Sequence, residues 1–327
     1  MLSKTKFIKQ AAILAIASLL VRLLGFLYRL PLTNMLGDEG NGIYSAGFYL
    51  YNFFLVMSSA GLPAAISKIV SEKVALEEYR NVKKTFKISL ILSSTVGLIF
   101  SIVMFVSARF FCNIIGSPDS YYTILTLSPT VFIVSVMSVF RGYFQGLGTT
   151  VPTALSQVIE QIFNAIFSIY LAYLLVGISL PLGAAGGTMG TGIGALAGLI
   201  YILMVFLNRK RYINRKLSKK THKYRVESNR EIAIKIIKTA APIIAGTAIF
   251  SMTNLIDMQM VNSRLTASKA FTDSQVTALY GQLTGKYVTL TTLPVSISTA
   301  LATAVLPSIA SSMIQGDIKT VRKKIDV

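Results

Sequence analysis

The 327-residue chain has almost none of the side chains from which hydrolytic or metal-dependent sites are assembled. It carries one cysteine, Cys112, one histidine, His222, and no tryptophan. A single cysteine cannot close an intrachain disulfide, and a lone histidine among lysines provides neither a zinc ligand set nor a Cys/His nucleophile. No GxxxxGK[ST] run is present, so a phosphate-binding loop of that type is excluded. These absences point away from an enzyme and from a bound metal or other cofactor.

Charge is scarce as well. Only 14 % of the residues are charged, against roughly 25 % in soluble domains. Acidic residues are the rarer kind, 13 against 32 basic ones, which leaves a net charge of +19. Such a balance would suggest nucleic acid in a soluble protein. Here 53 % of the residues are hydrophobic and the mean hydropathy is +0.62, which points instead to a membrane.

Eight apolar stretches follow one another at about 7–35, 43–70, 86–112, 121–144, 152–176, 184–208, 232–262 and 284–312. About 20 residues suffice to span a bilayer. The expected fold is therefore all-α and integral to the membrane, a polytopic bundle of eight transmembrane helices. The first stretch follows Lys4, Lys6 and Lys9 like a signal peptide, but it continues past Arg22 and Arg29, beyond the 7 to 15 apolar residues of such a peptide. It reads as a retained helix.

Lysine and arginine accumulate on the cytoplasmic side of membrane proteins. With the N-terminus inside, 26 of the 32 basic residues fall in inside segments, so both termini are expected in the cytoplasm. A basic inner face would meet anionic membrane lipid, and no nucleic acid is needed to explain the charge. The polar run 209–230 separates six spans from two. It divides the chain into an N-terminal six-helix lobe (1–208), a basic cytoplasmic linker (209–231) and the start of a second lobe (232–327). An echo between LPAAIS (62–67) and LPSIAS (306–311), each read as the end of a span, suggests parallel repeats. Span 6 carries Gly186, Gly190, Gly194 and Gly198 at four-residue spacing, which lets helix backbones approach closely. Pro31, Pro63, Pro242, Pro294 and Pro307 lie in or at the ends of spans and invite bends.

The polar residues inside the spans are the candidate site. Arg22 and Arg29 are seven residues apart, nearly on one helix face and about 10 Å apart along the axis. An arginine at mid-bilayer costs about 2.5–3.5 kcal/mol on insertion scales, so both should face the bundle interior or a hydrated cavity. Pairing with Glu160 or Asp257 would be a purely structural solution. The functional one is an anion site, because a guanidinium fork suits phosphate oxygens. Span 5 lines up Gln157, Glu160, Gln161 and Asn164, span 7 lines up Thr247, Ser251, Asn254 and Asp257, and span 8 lines up Lys286, Thr289, Ser296, Thr299 and Thr303. Asn52 adds a polar group to span 2. Such stripes serve either as glue between helices or as the lining of a central cavity. Glu160 and Asp257 are candidates to carry a coupling Na+ or H+.

The runs VRLLGFLYRLPL (21–32), GLPAAISKIVSE (61–72), SQVIEQI (156–162) and TLPVSISTALATAVLPSIAS (292–311) resemble the polysaccharide-biosynthesis branch of the multidrug/oligosaccharidyl-lipid/polysaccharide exporter superfamily, in particular its sporulation-protein and lipid II flippase-like members. The likeness runs over essentially the whole chain. It implies two six-helix lobes around a central cavity, in the cytoplasmic membrane of a bacterium. The implied activity is flipping of undecaprenyl-pyrophosphate-linked sugars, lipid II or a related precursor, by alternating access. The partner would be a polyprenyl-pyrophosphate-linked glycan held by Arg22, Arg29, Asn52 and Lys286. Arg22 falls on an arginine that the flippases place in the cavity, and Arg29 is displaced by one residue, where Tyr28 stands. A second-helix arginine of the family aligns near Leu55 and is missing, its acidic residue falls near Tyr44, and an arginine of helix 8 aligns with Thr289. The chain ends at Val327, where a ninth helix should begin, and a fragment with one complete lobe and the first hairpin of the next is expected. The alternatives are a cation-coupled multidrug antiporter of the same superfamily and a non-transporting membrane scaffold.

Overall fold

A computed structural model of the chain describes residues 4–216, 224–292, 294, 295 and 298, and the regular elements among them are all helical. Six helical runs among these residues are long and apolar enough to cross a membrane. The first, Ala12–Ala75, is 64 residues long, about three times what one crossing needs. Gly37, inside helix α1 (Lys4–Ser59), has φ 64° and ψ −173°, a conformation open to a residue without Cβ. Fifteen residues of straight helix would hold Arg29 and Tyr44 about 22 Å apart. The guanidinium carbon of Arg29 instead lies 4.2 Å from the centre of the Tyr44 ring, so the chain doubles back at Gly37. Asn41 secures the turn, donating from Nδ2 to the carbonyls of Thr33 and Gly37 at 2.9 and 2.5 Å. Spans 1 and 2 are thus a helical hairpin with no separate loop, so the first of the six runs supplies two arms of the bundle. Only the first part of the eighth expected span, 284–292 with 294, 295 and 298, belongs to the described residues; LPSIAS, Ser296, Thr299 and Thr303 lie outside them.

Helix α2 (Leu62–Ala75) corrects one expectation. LPAAIS opens it rather than ending span 2, with Pro63 in the first turn, where its missing N–H is no loss. The lobe continues through α3 (Tyr79–Val106), the short α4 (Ala108–Ile115), α5 (Tyr121–Gly146), α6 (Val151–Val176) and α7 (Leu180–Lys216). Helix α7 runs past the lobe boundary expected at 208. Its glycine ladder packs on α6: a Cβ at Gly186 would meet the Leu171 carbonyl, one at Gly190 the backbone of Ser168, one at Gly194 the Glu160 carbonyl and one at Gly198 the Ser156 carbonyl. The partners descend along α6 as the glycines ascend α7, so the two helices are antiparallel and in backbone contact, as small residues at this spacing allow.

A second small-residue stripe, on α3, joins it to α5. Ser93 and Ser101 are buried and donate to the Ser135 and Ser128 carbonyls at 2.6 and 2.8 Å. The apolar core beside it packs Leu50 and Phe54 of α1, Met104 of α3 and Leu127 of α5 against Met258 and Tyr280. The last two belong to α8 (Asn229–Ala267) and α9 (Asp273–Gly281), so this core joins helices on both sides of the basic run 209–230.

The end of the basic linker is tied down by charge. Glu227 Oε1 pairs with Lys73 of α2 at 2.6 Å and Lys235 of α8 at 2.7 Å, while Lys84 of α3 donates to the Glu227 carbonyl at 2.5 Å. Burial by itself would push the Glu227 carboxyl up; the hydrogen bonds from Lys235 and Lys73 and their charges outweigh it and hold the group below the usual carboxylate range.

Candidate functional site: an arginine-lined cavity

The two arms of the α1 hairpin face the start of span 8 across a cavity of about 330 Å³. Arg22 and Arg29 line it from the first arm, with Tyr28 between them in sequence, and Tyr44, Phe48 and Tyr49 line it from the second. Thr284, Thr289 and Thr292 close the opposite side. Two turns of helix put both guanidiniums on the cavity face, as their seven-residue spacing predicts. The lining is mostly apolar and aromatic with a few convergent polar groups, the usual character of a small-molecule site, and the volume lies at the lower end of the usual range.

Neither carboxylate expected to neutralise these arginines lines the cavity. Glu160 Oε2 instead accepts from Arg141 Nη2 at 2.7 Å, with the side chains 24 % and 13 % exposed. Arg141 also donates from Nε to Ser156 Oγ at 3.0 Å. Arg141, counted among the inside basic residues, thus sits within α5, where it pairs with the carboxylate of α6. Asp257 lies on an exposed face of α8 and is not part of the cavity wall. Asp38, at the hairpin turn, pairs with Lys286 at 2.5 Å and accepts from Gln282 Nε2 at 2.9 Å.

That last contact corrects another expectation. Lys286 is turned toward Asp38 and is absent from the cavity wall; Thr284 and Thr289, two and three residues away, line it in its place. Asn52 is also outside the wall, donating from Nδ2 to Ser251 Oγ of α8 at 3.3 Å. Asn164 of the α6 stripe accepts from Ser168 at 2.8 Å and Thr191 at 3.4 Å, so this part of the stripe acts as glue between α6 and α7. No group of three or more His, Cys, Asp and Glu that could hold a metal ion is found among the described residues.

Two residues that matter here were not singled out by the sequence reading. Tyr44 carries Arg29 over its ring at 4.2 Å, and Asp38 takes up Lys286. Asp38 had a local signal, a carboxylate beside a glycine between two apolar runs. For Tyr44 the sequence offers an aromatic near the position where the resemblance places an acidic residue, with nothing to say that it meets Arg29.

The cavity invites comparison with known proteins. A family model described as polysaccharide biosynthesis protein matches residues 7–313. The chain is similar to stage V sporulation protein B of Bacillus subtilis, 29 % identical over 326 residues that make up 99 % of this chain and 62 % of that protein. It is similar to the lipid II flippase MurJ of the same organism, 27 % identical over 340 residues, 98 % of this chain and 61 % of that one. The chain thus spans about three fifths of the length of these relatives. A solved MOP superfamily transporter from Pyrococcus furiosus shares the fold with a TM-score of 0.67 at 17 % identity, over 99 % of this chain and 70 % of that one.

Proposed function

The chain belongs to the polysaccharide biosynthesis protein family, and from that premise we propose that it acts as a flippase for a polyprenyl-pyrophosphate-linked sugar, lipid II or a related cell-wall precursor. It would work by alternating access in the bacterial cytoplasmic membrane. The observation that carries this reading is the distribution of charge. Arg22 and Arg29 line the cavity, while Glu160 is engaged by Arg141 and Asp38 by Lys286. Two guanidiniums on one cavity wall suit an anion, and a diphosphate offers oxygens in the geometry that they recognise. A cationic drug would meet charge of its own sign, which disfavours the antiporter reading. Two arginines set in one cavity wall are wasted on an inert scaffold.

The proposal includes the orientation and the coupling. With both termini cytoplasmic, cysteines at positions 119 and 273 would label from outside the cell and one at position 84 would not. Na+ or H+ coupling would run through Glu160 or Asp257, and transport with unchanged ion dependence in both Glu160→Gln and Asp257→Asn would remove that part. The decisive experiment expresses the full-length gene in cells depleted of their lipid II flippase and measures lipid II exposed at the outer surface. Rescue by the parent and its loss in Arg22→Ala are expected. Parental rates in an Arg22→Ala protein that inserts normally would overturn the reading.

A further inference from the structure

Arg29 and Tyr44 meet in the wall of the cavity, and the type of contact decides what Arg29 can do. The guanidinium lies over the ring face, 4.2 Å from its centre. A ring attracts the cation through its quadrupole, without opposing charge. A carboxylate in the same place would satisfy the guanidinium and cancel it. Over a ring, Arg29 keeps its full charge, and the N–H donors in its own plane remain available to an acceptor in the cavity.

The ring is held on every side. Tyr44 is 1 % exposed and packs with Leu32, Leu36, Ile43 and Ala184. It stacks on Phe48 with centroids 5.8 Å apart and planes 17° apart. Its hydroxyl is buried on the side of Tyr28, and the guanidinium lies over the ring face, so the contact with Arg29 belongs to the ring.

We infer that Tyr44 is a positioning residue that fixes Arg29 by a cation–π contact in order to present an uncancelled guanidinium to the anionic headgroup of the substrate. This rests on the proposed function, because it assumes that the cavity receives a diphosphate. It adds the means by which an arginine within an apolar helix is immobilised and still left charged.

Farnesyl pyrophosphate, a short polyprenyl diphosphate, is the probe, and farnesol the control without the anion. Binding of both to the purified full chain in detergent is measured by isothermal titration. The variants are Tyr44→Leu, Tyr44→Phe, 3,4,5-trifluorophenylalanine at position 44, and Arg29→Ala. The fluorinated ring keeps the shape of phenylalanine and loses its negative face, so it tests the contact even where Tyr44→Leu fails to fold. Tyr44→Leu should weaken farnesyl pyrophosphate about tenfold. Tyr44→Phe should restore the binding that Tyr44→Leu loses, the fluorinated ring should not, and farnesol should bind all variants alike. If the fluorinated variant binds the diphosphate as Tyr44→Phe does while Arg29→Ala weakens it, the role given to Tyr44 is wrong and the anion site stands. If the parent binds farnesyl pyrophosphate no better than farnesol, or Arg29→Ala binds it as the parent does, the anion site itself falls and this inference falls with it.

Discussion

Arg29 and Arg141 are two arginines within one lobe, each placed against a neighbouring helix, and they are held in opposite ways. Arg141 meets Glu160 at 2.7 Å and Ser156 at 3.0 Å, in a packed region between α5 and α6. Arg29 meets the face of Tyr44 beside a cavity of about 330 Å³. A cation facing a carboxylate is a solved electrostatic problem and contributes to the architecture. A cation facing a ring is placed but still charged, and has capacity left for a ligand. What sets the two arginines apart is the chemistry of the partner, a carboxylate for Arg141 and an aromatic face for Arg29.

The comparison breaks most visibly if each arginine is removed in turn. Arg141→Ala strands Glu160 in a largely buried site and should cost about 3 kcal/mol of stability, read by denaturant unfolding in mixed micelles. The double variant Arg141→Met with Glu160→Leu should recover most of that loss, since no charge is left unpaired. Arg29→Met strands no carboxylate, so its stability should stay within about 1 kcal/mol of the parent while translocation falls about a hundredfold, the equivalent of losing charge-assisted hydrogen bonds. If Arg29→Met unfolds as readily as Arg141→Ala, the distinction between the two sites is mistaken.

Geometry can be altered without touching a charge. Gly194→Val would drive a side chain into the Glu160 carbonyl and the Asn164 side chain. We expect about 2 kcal/mol of destabilisation from the overpacked contact, with the α6–α7 spacing enlarged in cysteine cross-linking. The arginine cavity, lined by α1 and the start of span 8, should keep its affinity for a diphosphate probe.

The smallest effect belongs to the polar clasp at Glu227. Its carboxyl is held below the usual range by Lys235 and Lys73. A lowered folded value means that the stabilisation is complete above the unfolded carboxylate pKa and disappears as pH falls through the folded value. Proteolysis near 227 should therefore be unchanged at neutral pH and accelerate only in acid below about pH 4. Glu227→Gln should remove that pH dependence and cost about 1 kcal/mol at neutral pH.

Much of this molecule was legible before any coordinates. The apolar runs pointed to eight spans, and six helical runs long and apolar enough to cross a membrane stand among the described residues, because the bilayer imposes a length that hydropathy reports directly. The seven-residue spacing of Arg22 and Arg29 placed both on one wall, and the glycines of α7 announced a close helix contact. The gap between the first two runs announced a reversal between 35 and 43; that it needs no loop and turns at Gly37, one of 23 glycines, was not legible. The serines of α3 went unremarked because they punctuate a run that remains strongly apolar on average.

Partner choice was not legible at all. Glu160 is engaged by Arg141, nineteen residues away in the chain, while Lys286 crosses 248 positions to reach Asp38. The sequence by itself determined that this is a membrane bundle, that its arginines need an interior face and that few carboxylates exist to meet them. Tertiary structure alone decided which cation each carboxylate took and which was set over an aromatic ring. The physical reason is that hydropathy and helical period are properties of one segment at a time, whereas the charge a site presents depends on which faces of separate helices are brought within a few ångströms.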